Sequence, residues 1–330
     1  KEMKTYSNIT IHHPFSSSVQ KEKYLLSYNG QYYEASHAIV ELVEELQRYE
    51  EEKAAIEAYV RKKEGKYTPE QVREVIEKFI DPIFRAVPKK RSFLYEKELF
   101  SAGAIDRFSD TFRFLFHKAY MMVVLVGMLA LDAWFFFTTS DLLLFNNKVN
   151  IYMVAGLLVF MLASSFFHEL GHASACKYFG VRHGGIGFGV YLNFPVLYTD
   201  VTEVWKLNRA QRCVVNLAGV YFQSYWLIAL LVAFLITGND ILRYLILIMN
   251  LGFVMTLNPF FKFDGYWIAS DVLGIPNLRS RSKELLGYVY RRMRGRAADE
   301  TPYLLQTNRL GRYGLLVYAV VVNLFMGYYF

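Results

Sequence analysis

Apolar positions along this chain fall into two patterns. From residue 119 onward they gather into long runs: Ala119–Phe137, Ile151–Phe167, Val214–Ile236, Ile241–Phe261 and Tyr313–Phe330, with Asp132 and Arg243 the only charges inside them. A bilayer core about 30 Å thick takes about 20 apolar helical residues to cross. Five transmembrane helices are therefore expected, and uncharged runs of this length are uncommon in soluble folds. Before residue 86 the pattern is short and mixed. Tyr24–Ser27 and Gln31–Glu34 flank Asn29-Gly30, a strong hairpin signal, and Ile9–His12 suits a third strand. Ser36 suits an N-cap before Ile39, Leu42, Val43 and Leu46 at helical spacing. A charged helix is expected over Lys53–Lys63. Another begins at Thr68-Pro69-Glu70-Gln71, where Thr68 caps, Pro69 takes the first helical position and Gln71 reaches back.

The expected fold is thus mostly α and polytopic, with a small α/β cytoplasmic domain. Its parts are residues 1–85 as a module, 86–118 as a connector and 119–330 as a membrane body with cytoplasmic loops. In the connector, Phe108, Phe112, Leu115 and Phe116 among Arg107, Arg113 and Lys118 predict an amphipathic helix, lying at the membrane surface or packed on the protein.

Composition sharpens this picture. The 330 residues are 54% hydrophobic and 20% charged, which excludes a disordered chain. Two cysteines, Cys176 and Cys213, exclude a disulfide scaffold. The net charge of +7 sits almost wholly in the membrane half. Lys177, Arg182, Lys206, Arg209 and Arg212 lie between the second and third runs, and a cluster from Arg279 to Arg312 lies between the fourth and fifth. The loop holding Lys148 and the loop Thr237–Asp240 carry little basic charge. By the positive-inside rule the basic loops and the N-terminal module face the cytoplasm, as in a multi-pass membrane protein. This assigns the charge to topology, and with no Gly-rich phosphate loop or basic recognition helix, nucleic acid is not an expected partner. No secretory signal peptide is visible, and the opening Lys1 in place of Met reads as a piece trimmed from a longer chain.

Candidate chemistry sits where the second run ends, at His168-Glu169-Leu170-Gly171-His172. Residues i and i+4 share a helix face, so His168 and His172 can reach one metal ion, while Glu169 is spaced to act on a metal-bound water. Ionisable groups at the end of an apolar span are costly unless functional. A third ligand must come from elsewhere. His12, His13, His37, His117 and His183 lie in the module or in loops; Asp264, Asp200, Glu203 and Asp271 are the acidic candidates, Asp264 the best placed. At 1.5 Å per residue, His168 lies about 26 Å along its helix and Asp264 about 35 Å along a helix starting at Ile241, so both reach the same membrane boundary.

His168-Glu169-Leu170-Gly171-His172 with Asn258-Pro259 and Phe263-Asp264-Gly265 resembles the site-2 protease family of intramembrane zinc metalloproteases, and in particular its bacterial peptide-maturation branch. The resemblance covers most of residues 110–310 and implies a place in the bacterial cytoplasmic membrane. It implies Zn2+ held by His168, His172 and Asp264, with Glu169 as general base. It places Gly187 and Gly189 on a strand that pairs with substrate. The third-span motif of the family is matched at Ala218-Gly219; the family's Pro and Asn are Val220 and Gln223 here, Thr256 stands at a usual Asn, and Lys262 replaces a common Pro. Asn258 or Gln223 could supply a substrate-binding amide in their place. Separately, the hairpin followed by three helices in residues 8–82 resembles the PqqD-like winged-helix module, which implies recognition of a peptide added as a strand. The expected activity is hydrolysis of a ribosomally made precursor or membrane-associated peptide bound in extended form, with the bilayer and a peptide transporter as further partners. The alternative is a membrane scaffold that binds or exports a peptide without cutting it.

Overall fold

The structure, a computed structural model, describes residues 6–15, 23–29, 31–85, 93–140, 142–143, 150–191, 194–295 and 308–329. Gly30 of the hairpin turn, residues 86–92 of the connector, Lys148 and Arg296 lie outside these residues. The chain divides into two compact units, Lys1–Arg91 with Leu273–Ala319, and Ser92–Val272 with Val320–Phe330.

In the first unit, strands β1 (Thr10–Phe15), β2 (Lys23–Tyr28) and β3 (Gln31–Ser36) form an antiparallel sheet in the order β1-β2-β3. Asn29 takes a positive φ of 47° at the β2–β3 turn, a conformation Asn tolerates better than most residues. Helices α1 (His37–Arg48), α2 (Glu52–Lys62) and α3 (Pro69–Val75) follow. Thr68 and Gln71 complete the reciprocal capping box before α3. A single π turn over Ile76–Ile80 leads into α4 (Asp81–Arg85). Ile9, Leu26, Val43, Leu46, Ile56 and Ile76 are buried in one core beneath the sheet-and-helix layer. The strand and helix order expected for this module is the observed one.

The second unit opens with a strand rather than a surface helix. Within the stretch 86–118, β4 (Phe93–Phe100) precedes α5 (Ala102–Phe112) and a 3-10 turn over Arg113–Phe116. Of the apolar residues expected on an amphipathic helix here, Phe108 is exposed, but Leu115 and Phe116 are buried in the body core, and Phe116 stacks on Phe222 with centroids 5.6 Å apart. Next come α6 (Lys118–Thr138), α7 (Ile151–Tyr178), the hairpin β5 (Ile186–Tyr191) and β6 (Phe194–Thr199), and α8 (Arg209–Thr237). Helix α6, α7 and α8 are each long and apolar enough to cross a membrane; this is a membrane protein. The fourth apolar run forms α9 (Asp240–Thr256), which stops before Pro259, and α10 (Asp264–Leu273) restarts beyond it. Further on lie α11 (Leu278–Met293) and α12 (Arg309–Tyr329). The extra length of the run to Asp264 can be absorbed by tilt or by the break Pro259 introduces, and the structure has that break: Asn258 Oδ1 accepts the Phe260 N–H at 2.8 Å, and proline has no N–H to continue the ladder.

Strands β4, β5 and β6 form a second antiparallel sheet in that order. Helices α7 and α8 pack tightly because Gly171 lies against the Ala218 carbonyl, where a Cβ would collide.

Candidate metal centre

Helix α7 runs without interruption through the His168–His172 motif, so both imidazoles emerge on one face. The Nε2 atoms of His168 and His172 lie 3.1 Å apart. Asp264, the first residue of α10, places Oδ2 at 3.1 Å from His168 Nε2 and 3.3 Å from His172 Nε2. His168, Glu169 and His172 offer ligand atoms all within 4.8 Å of one another. The structure therefore brings together the four residues expected from sequence.

Protonation at the cluster follows from the partners behind it. His172 Nδ1 lies 2.8 Å from the Val215 carbonyl, which can only accept. The proton is thus on Nδ1, and Nε2 presents a lone pair. His168 Nδ1 lies 3.1 Å from Gln223 Oε1, while Gln223 Nε2 donates to Ser164 Oγ at 2.9 Å. That amide orientation makes Oε1 the acceptor and again leaves the His168 Nε2 lone pair facing inward. Asp264 Oδ2 is shielded from solvent and makes no well-formed hydrogen bond. With both rings neutral, two Nε2 lone pairs stand beside Asp264 Oδ2 within 3.3 Å, a donor set that suits a divalent cation.

The backbone around the cluster is shaped by glycine. Gly219 on α8 lies directly under the His168 ring, so any Cβ there would run into the imidazole. Gly265 is pressed against the Leu257 carbonyl, which folds the start of α10 back on the end of α9. Ala218-Gly219 thus acquires a physical role, close approach of two helices beside a ligand.

The remaining sequence candidates are placed as follows. Gly187 and Gly189 lie on β5, the middle strand, with β4 on one side and β6 on the other. Room left by the missing side chains is filled by Tyr198 at Gly187 and Phe93 at Gly189, whose rings stack at 4.9 Å. Strands β4 and β6 are the outer strands of this sheet. Thr199, at the end of β6, donates its hydroxyl to the Glu169 carbonyl at 3.1 Å, which ties that strand to the centre. Asn258 uses its Oδ1 to shape the turn at Pro259. Gln223 contacts His168 and Ser164.

Asp271, one of the acidic candidates for a third ligand, instead has partners on α8 that sequence reasoning did not find. Asp271 is buried, with Oδ1 accepting from Arg212 Nε at 2.7 Å and Oδ2 accepting from Asn216 Nδ2 at 3.1 Å. Burial pushes the Asp271 carboxyl above its ordinary range, against the opposing pull of Arg212. Arg209 donates to the Asp271 and Val272 carbonyls at 2.7 and 2.5 Å. Arg209 and Arg212, read from sequence as loop charges, are thus in the first turn of α8 and bonded to α10. The available signal was their spacing with Asn216 along one helical face.

Fold and site together define a membrane protein with a His-Glu-His-Asp cluster, partly buried and suited to a metal ion. No family model matches the chain, and no solved structure matches it. It is 28% identical over 125 residues to a Bacillus subtilis (strain 168) protein named "Putative peptide zinc metalloprotease protein YydH", an alignment covering 33% of this chain and 49% of that one. The chain therefore spans about half the length of the curated relative it matches.

Proposed function

We propose that this protein is an intramembrane zinc metalloprotease that hydrolyses a peptide bond of an extended, membrane-associated or ribosomally made precursor peptide. The observation that carries this reading is the convergence of the His168, His172 and Asp264 acceptors on one point. In a tetrahedral zinc site with Zn–N and Zn–O distances near 2.0–2.1 Å, ligand atoms stand about 3.3 Å apart. The observed separations of 3.1, 3.1 and 3.3 Å fit that shell. His168, His172 and Asp264 would hold the ion, leaving one position open. When bound, Zn2+ supplies Lewis acidity and lowers the pKa of coordinated water to about 7.

The chain's own residues do the rest. Glu169, buried beside the ligands, accepts the proton of the attacking water and returns it to the departing amine nitrogen. The Val215 carbonyl and Gln223 hold both imidazoles in the tautomer that faces inward. The outer edge of β6, linked through Thr199 to Glu169, is where an extended peptide adds as a strand. The first unit, if PqqD-like, raises the local concentration of such a peptide. Five membrane spans with the basic loops on the cytoplasmic side complete the proposed topology, with the centre near the cytoplasmic face.

The test is cleavage of a co-encoded precursor peptide in vesicles. Wild type cuts it, whereas Glu169→Gln retains one zinc per chain and loses cleavage by at least about 100-fold, the lower end for a general base. Equal processing by both proteins sinks the protease reading. Peptide transport without cleavage by wild type establishes the scaffold reading instead.

A further inference from the structure

We propose that Asp271, gripped by Arg212 and Asn216, is a positioning residue that sets Asp264 in the metal centre. The inference rests on the reading of Asp264 as a ligand. Asp264 and Asp271 belong to the same helix, α10, and seven residues of helix are two turns, about 10 Å, on one face. Anchoring one end of so short a rod sets the other.

The anchor is a polar clamp with both carboxylate oxygens engaged. Arg212 is itself buried, donates Nη1 to the Leu207 carbonyl at 3.0 Å, and lies 5.2 Å from the Trp205 ring centroid. Arg209 closes the last turn of α10 through its carbonyls. All of these donors come from α8, the helix that also holds the two imidazoles. Arg209, Arg212, Asn216, Gly219 and Gln223 recur every three or four residues and share one face. Along that face the chain meets the end of α10, then Asp271, then the His168 ring, while the neighbouring Val215 carbonyl takes His172. One helix thereby references all three ligands to a common frame.

Stability alone does not account for the clamp. Desolvating an ion pair commonly offsets its Coulombic gain, and apolar residues of similar volume would hold two helices as well. What directional hydrogen bonds add is a defined position. Beyond the clamp, α10 meets the body at the turn at Pro259, at Gly265 and through Trp267, whose ring lies 6.5 Å from that of Trp205; the hydrogen bonds of the clamp fix Asp271 at named atoms.

The test is zinc affinity of the full chain in detergent, measured by competition with a chelator, together with the visible spectrum of the Co2+-loaded protein. Asp271→Asn keeps the side-chain shape and loses the charge; Asn216→Ala removes one hydrogen bond and leaves the ion pair. Both should bind zinc more weakly, by about 10–100-fold for Asp271→Asn, with helical content kept and the Co2+ spectrum altered. Phe135→Leu, in the α6 core, should lower the melting temperature and leave affinity unchanged. If Asp271→Asn fails to fold, Asn216→Ala decides. Variants that bind as wild type does, with unchanged Co2+ spectra, overturn the positioning role while leaving the metal centre intact. A wild type that takes up no zinc overturns the metal reading itself.

Discussion

A single atom at residue 219 has a consequence out of proportion to its size. Gly219 leaves the volume that the His168 ring occupies, so Gly219→Ala must displace either the imidazole or α8. The expected outcome is a fall in zinc affinity of about 10-fold or more, comparable to loss of an outer-shell partner, measured by chelator competition, with α7 and α8 still helical. Unchanged affinity would show that the ring can swing aside freely. The His168-Glu169-Leu170-Gly171-His172 motif was legible because its spacing is local to one helix. Asp264 was legible only as the best of several acids, since its proximity depends on how α10 folds back. The meaning of Gln223 was not legible: an amide suits a peptide or an imidazole equally until the ring nitrogen 3.1 Å away is seen.

At the scale of elements, the N-terminal hairpin and three helices followed from local signals that act within a few residues, such as Asn29 at the turn and the Thr68–Gln71 box. Helix α1 is joined to the end of α2 by Lys63 donating to Glu41 at 2.5 Å. Burial pushes the Glu41 carboxyl up, but the Lys63 ammonium outweighs it and holds the group below its ordinary value of 4.5. A depressed carboxyl stabilises the fold at pH values above the unfolded pKa and loses that contribution as pH falls through the folded one. Melting temperatures of wild type and Lys63→Met should therefore differ most near neutral pH and converge as the pH falls through the depressed pKa of Glu41. A constant difference would remove Glu41 from the account. Strand β4 was not legible: Phe93–Phe100 pairs with β5 across more than eighty intervening residues, with register shifts near both ends, and most of its side chains are exposed. Nothing in its own alternation marks a buried face; pairing with β5 and the ring contacts of Phe93 and Phe100 at its two ends make it a strand.

For the whole molecule, metal binding and folding are linked. An ion that binds only the folded centre adds about 2.7 kcal/mol at 100 times its dissociation constant. Stripping zinc should lower the unfolding temperature of the unit holding α7, α8 and α10 and leave the hairpin-and-helix unit unchanged. Differential scanning with and without chelator checks this, and a shift in neither unit argues against an occupied site. The +7 charge, read as a topology signal, is reduced in that role by Arg209 and Arg212, which spend their donors on α10.

The sequence by itself determined the membrane-spanning body, the helical ligand pair and the order of elements in the N-terminal module. Each depends on interactions within one helix, one turn or one solvent boundary, which composition and periodicity encode directly. Only the tertiary structure decided that the two imidazoles and the Asp264 carboxylate converge, and that α8 holds their frame. Those outcomes depend on contacts between residues up to about a hundred positions apart, such as Asp264 with His168, where the partner is set by packing and by small residues that let backbones meet.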